Sequence, residues 1–157
     1  MIMDELLEFC DATSVAAGAG TALVGDVIDL GATPQDLGDG EPMYLVITVD
    51  TSIITGGAAG TIKFQLASDA QAAIAVDGSA TVHIDTGTFV TDDAALNDLD
   101  AGDVAFVGAL PTGAGRPYER YLGILSTIAT TTVTAGAINA FLTKDPYKWK
   151  AYADATS

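Results

Sequence analysis

Seven short runs of this chain alternate apolar and polar residues, and each is closed by Gly, Asp, Asn, Thr or Pro. In the clearest, residues 61–67 (TIKFQLA), Ile62, Phe64 and Leu66 fall on one side and Thr61, Lys63 and Gln65 on the other. That is the period of a β-strand, whose successive side chains point to opposite faces of a sheet. Residues 43–50 (MYLVITVD) repeat it, with Met43, Leu45, Ile47 and Val49 inward and β-branched residues suited to the pleat. Further runs cover residues 23–30, 80–85, 104–110, 118–128 and 136–143, the last expected to pair with 118–128 across the Thr-rich connection 129–135. Breaker-rich loops at 31–42 and 111–117 and an acidic loop at 91–103 separate them. Residues 3–11 suit a helical turn or a short strand equally, and 68–79 read as a connection with room for one helical turn. Turn signals at these intervals favour a single all-β domain, a jelly-roll-like antiparallel sandwich, over alternating βαβ units. The expected organisation is an arm or short strand or helix over 1–21, the sandwich over 22–144 and a tail over 145–157. The expected core is Leu45, Ile47, Ile62, Phe64, Leu66, Val82, Ile84, Phe106, Leu122 and Ile124.

Composition narrows the function. The chain of 157 residues carries 21 acidic and 6 basic side chains, a net charge of −15. Phosphate recognition needs clustered Lys and Arg, so neither nucleic acid nor an anionic membrane surface is an expected partner. The first 62 residues hold ten acids and no base, whereas Arg116, Arg120, Lys144, Lys148 and Lys150 all follow residue 115. A basic end set against an acidic remainder suits contact with a neighbouring copy, Asp4, Glu5 and Glu8 of one facing Arg116, Arg120 or Lys148 of the next. The single Cys10 rules out an internal disulfide framework, and its apolar neighbours suit an inert buried thiol. No apolar stretch approaches the ~20 residues of a membrane-spanning helix. The acidic start lacks the basic region of a signal peptide, so synthesis in a cytoplasm is expected.

Few residues offer chemistry. His83 lies between Thr81 and Asp85 on the polar side of its run, and the reading here is an exposed surface histidine. No GxSxG elbow supplies a nucleophile, and nothing in the sequence links Cys10 to His83. The 91–103 loop offers Asp92, Asp93, Asn97, Asp98, Asp100 and Asp103, and a second loop Asp36, Asp39 and Glu41, but neither has EF-hand spacing. With no zinc cluster, P-loop or dinucleotide fingerprint, no cofactor or metal and no enzymatic activity are expected. The aromatic and basic residues Tyr147, Lys148, Trp149 and Lys150, with Arg116 and Arg120, are the candidate interface, because Trp, Tyr and Arg dominate interface hot spots.

The opening MIMDELLEFCDA, DVIDLGA at 26–32, GDGEPMYLVITVD at 38–50, TIKFQLASDA at 61–70 and RYLGILSTIATTTVTAGAINAFLTKD at 120–145 resemble the small capsid cement, or decoration, proteins of tailed bacteriophages. The resemblance is to the type found in a Bordetella podophage. It implies a jelly-roll-like sandwich and homo-oligomers, often trimers. It implies a seat on the outside of an icosahedral head, bridging major capsid protein subunits, with no catalysis and no cofactor. The closing WKAYADATS departs from the tail expected of that family, and positions 12–25 and 71–103 carry little of its pattern. The alternative class is a carbohydrate-binding or host-adhesion sandwich, which the scarcity of aromatic platforms disfavours.

Overall fold

A computed structural model describes residues 5–32, 37, 40–56, 60–91 and 98–146. A 3₁₀ turn at Glu5–Leu7 leads into nine strands: β1 (Glu8–Ser14), β2 (Gly20–Asp29), β3 (Tyr44–Thr55), β4 (Thr61–Asp69), β5 (Thr81–Asp85), β6 (Phe89–Val90), β7 (Val104–Ala109), β8 (Tyr121–Ala129) and β9 (Val133–Thr143). Among the described residues there is no α-helix. The strands form two antiparallel sheets, one in the order β1-β9-β3-β7 and the other β2-β8-β4-β5, with β6 also on β4. The pairs β1–β9, β2–β8, β3–β7 and β4–β5 nest inside one another. Such nesting is one long antiparallel ribbon, doubled back at β4–β5 and rolled so that successive strands alternate between sheets. The chain is therefore a β-sandwich with jelly-roll strand order.

The first-described run explains why the sheets meet. Ile62, Phe64 and Leu66 of β4 are fully buried, and Leu45, Ile47 and Val49 of β3 face them from the other sheet in one cluster with Leu122, Ile124 and Ile138. Burying such side chains stabilises by roughly 1.5–3 kcal/mol each, which is what drives two sheets together. Val46 and Phe141, register partners across β3 and β9, are buried too, outside that cluster. A smaller cluster of Ala67, Ile74 and Leu125 lies apart from the main core. Ile74 reaches it because residue 123 is glycine: a Cβ there would collide with the Ile74 side chain.

Three expectations need correction. Val82 is half-buried and packs with the smaller cluster, not the main core. The β4–β5 register shifts between Leu66↔Ile84 and Ala67↔Val82, and a bulge of one residue turns Val82 to the opposite face. Residues 118–128 are not one strand: β8 begins at Tyr121, and Tyr118 is a buried loop residue. Nor does β9 pair with β8. They lie in different sheets, because the ribbon is rolled and β9 is held between β1 and β3. Phe106 is half-buried against the main core. The ambiguous start resolves into the short turn plus β1, which pairs with β9 and belongs to the sheet. No helical turn forms within 68–79.

Candidate functional site

A connected set of polar interactions gathers where the 111–120 connection between β7 and β8 folds over β5. The β4–β5 bulge leaves His83 as the extra residue opposite β4. Its Nε2 lies 2.8 Å from Ser68 Oγ. Ser68 Oγ also accepts the Glu119 amide at 3.1 Å, so its own proton is free to go to the imidazole. Tyr118 stacks on the ring at a centroid separation of 4.0 Å and donates its hydroxyl to the Pro111 carbonyl at 2.7 Å. Arg116 Nη1 donates to the Val82 carbonyl at 2.9 Å, and Thr81 Oγ1 donates to Glu119 Oε1 at 2.8 Å. Both sides of β5 are thus tied to one loop. An open, shallow cleft between Ala80–Val82 and Gly115–Glu119 marks the seam.

His83 is therefore not the exposed surface histidine read from the alternation. Burial lowers its pKa first, and the Arg116 charge adds to that, against a smaller opposing pull from Glu119. A neutral ring accepting the Ser68 proton is what this geometry favours. Burial alone pushes Tyr118 up to about 12. A Ser–His contact is half of a nucleophile–base pair, but Ser68 is 0% exposed and its hydroxyl is already committed to His83 and the Glu119 amide. Its chemistry here is that of a clasp holding the loop to β4.

Of the six residues singled out as an interface, Arg116 and Arg120 and their contacts within the chain are described. Arg116 lies on β5 as described. Arg120 is engaged within its own chain: Nε and Nη2 donate to the two carboxylate oxygens of Asp29 at 2.9 and 2.8 Å, and the guanidinium lies 4.8 Å from the Tyr121 ring centroid. The Arg120 hydrogen bonds, and then the Gly31 amide, draw Asp29 down to about 2. Lys144 pairs with Glu41 at 2.6 Å. Tyr147, Lys148, Trp149 and Lys150 lie outside the described residues. Cys10 is buried with its Sγ 3.6 Å from the Ile138 carbonyl, and burial raises its pKa to about 12.

Of the acidic loops, Asp98, Asp100 and Asp103 are described. Asp103 Oδ2 accepts the Asp100 amide and Asp100 Oδ1 accepts the Ser52 hydroxyl, so these carboxylates brace their own turn. Among the described residues no three His, Cys, Asp or Glu side chains converge on a point where a metal ion could sit. Ser68, Tyr118 and Glu119 escaped the sequence reading. Ser68 and His83 are 15 residues apart on strands paired through a bulge, and only the Pro-rich turn preceding Tyr118 hinted at a rigid loop there.

A protein-family model, Bbp16, matches residues 9–142, from within β1 to within β9. No curated protein matches the chain.

Proposed function

The chain belongs to the Bbp16 family, a Bordetella phage protein family, and from that membership we propose that it is a structural virion protein, a cement or decoration protein of a tailed-phage head. In this reading it binds the outside of the capsid as a homo-oligomer, a trimer by resemblance, and stabilises the major capsid protein subunits beneath it. It is made in the host cytoplasm, performs no catalysis and holds no cofactor.

The observation that carries the proposal is the span of the family match, which takes in almost the whole sandwich rather than one motif. Physical features support it. Two sheets closed over a continuous apolar core make a stiff body, and a stiff body loses little entropy on docking. A net charge of −15 disfavours the packaged nucleic acid as a partner. Repetition on a lattice multiplies weak contacts through avidity, so no single contact has to be strong. Adding the purified protein to heads that lack it, followed by sedimentation, tests the reading. Saturable co-sedimentation with a rise in the temperature of head disruption is expected. Protein left in the supernatant at every concentration refutes it.

A further inference from the structure

Among the described residues, every hydrogen bond that ties residues 111–119 to the strands uses a side chain. The Leu110 amide donates to the Met43 carbonyl and the Arg120 carbonyl accepts the Leu30 amide, but between them no backbone–backbone bond reaches the connection. Four contacts stand in for a ladder. Ser68 Oγ accepts the Glu119 amide, Thr81 Oγ1 donates to the Glu119 carboxylate, Arg116 donates to the Val82 carbonyl, and Tyr118 stacks on His83. From this loop Tyr118 also reaches into the main core, where it is 3% exposed. Gly113 sits at φ 75°, and a Cβ added at Gly115 would meet nothing within 4 Å. Glycines so placed let a loop move as a unit at little steric cost.

We propose that proton uptake by His83 unlatches residues 111–119 from β4 and β5, which makes the connection an acid-opened flap over one end of the core. While the ring is neutral, Nε2 accepts the Ser68 proton, and Ser68 Oγ keeps a lone pair for the Glu119 amide. A proton taken from solvent onto Nε2 turns that nitrogen into a donor. The hydroxyl then faces two donors, and its own proton has no acceptor among the described residues. Ser68 is 0% exposed, so water does not supply one. A buried donor left unpaired bears the whole penalty of its lost hydration. Moving the loop away returns Ser68 and the imidazolium to water and ends that penalty.

The surroundings of the ring act in the same direction. Burial disfavours an imidazolium most, the Arg116 charge adds repulsion, and Glu119 attracts it by the least of the three. The Glu119 carboxylate is also engaged by the Thr81 hydroxyl. Burial keeps the Tyr118 phenol protonated up to about 12, so it brings no charge. Further along β5 and β4, Asp85 and Lys63 pair with each other at 2.9 Å, and Asp85 also accepts the Gln65 side-chain amide. Opening takes Arg116 and the Tyr118 ring away from His83. The open form therefore binds its proton near the ordinary 6.5, and the closed form only below it. Opening takes up one proton between those values, so it is favoured as pH falls below 6.5 and gains nothing more beneath the closed-form value.

Amide hydrogen exchange of the full chain between about pH 8 and 5 tests this, because histidine is the side chain whose ordinary titration falls in that range. The Glu119 amide, bonded to Ser68 Oγ, should lose protection below pH 6.5 by up to about tenfold per pH unit, the limit for one proton. Amides in the β3–β9 ladder should keep theirs. The loss should level off at the pH where the closed-form ring titrates, read from its NMR resonances. The chain has one histidine, so those resonances are unambiguous and need no variant. In a His83→Gln chain, protection of the Glu119 amide should be flat across the range. A ring that titrates at the ordinary 6.5 in the parent overturns the proposal even where His83→Gln fails to fold. Glu119 protection that is constant in the parent, or that falls equally in the His83→Gln chain, overturns it too.

Discussion

Replacing Gly25 with Ala tests how tightly the two sheets meet at their closed border. Gly25 adopts φ 70° at the irregular point of β2, between Val24 and Ile28. A Cβ there would run into the Phe9 carbonyl oxygen and the Cys10 Cβ on β1. Neither can swing aside: Phe9 is a core residue of a paired strand, and the obstacle is its backbone. Two costs add. Holding a residue with a Cβ in the left-handed region costs about 1–2 kcal/mol. Forcing an extra carbon into a packed contact costs about 1–3 kcal/mol more. The sum is roughly 2–5 kcal/mol, or a fall in melting temperature on the order of 4–20 °C for a domain of this size. Gly31 is the internal control: its φ is 89° and a Cβ added there would meet nothing within 4 Å. Gly31→Ala should therefore show only the conformational cost, about 1–2 kcal/mol. Urea unfolding followed by circular dichroism measures both. Equal losses at the two positions would mean that β1 and β2 do not approach as described, and the folded border would have to be redrawn.

Other perturbations separate the faces and the groups. Phe64→Ala should cost about 3–5 kcal/mol in urea unfolding, while Lys63→Ala, its neighbour on the other face, should cost no more than about 1 kcal/mol because the Asp85 pair is partly solvated; a Phe64 loss below 1 kcal/mol would show the register to be wrong. His83 has a folded pKa below its ordinary 6.5, so the unfolded chain binds the proton more readily. The stability His83 contributes should be complete above pH 6.5 and fall away as pH drops through the lower folded value; a His83→Gln variant with the same pH profile as the parent would exclude that role. Cys10, buried and raised to about 12, should ignore a thiol reagent in the native protein and react on unfolding; rapid labelling without unfolding would contradict its placement. Trp149→Ala should weaken self-association more than Lys148→Ala or Lys150→Ala, read by sedimentation velocity; equal, small effects would reduce the segment to a passive extension.

Much of the sandwich was legible because strand period is a local signal. Ile62, Phe64 and Leu66 alternate with polar neighbours in the sequence and are buried together in the structure. What failed was not local. Val82 changes face because one inserted residue, His83, shifts the pairing with β4, and no alternation pattern in β5 alone reveals a bulge. The pairing of β9 with β1 and β3 rather than β8 follows from rolling the ribbon, a matter of long-range packing. β1 was ambiguous because adjacent Phe9 and Cys10 are both buried across a register irregularity, which erases the period. β6 is two residues long, too short to carry a period. The His83 clasp depends on a loop arriving from 111–120, so neither its burial nor its partners could be read from the strand that holds it. Arg120 was singled out for its charge, and its partner Asp29 lies 91 residues away.

The central claim is that this protein belongs to the outer surface of a phage head. An electron cryomicroscopy map of the purified particle, compared with one assembled without this protein, tests it most directly. The account predicts difference density for a two-sheet sandwich on the exterior, repeated with the capsid lattice and touching more than one major capsid subunit. Difference density confined to the tail or the interior, or none at all, would contradict it.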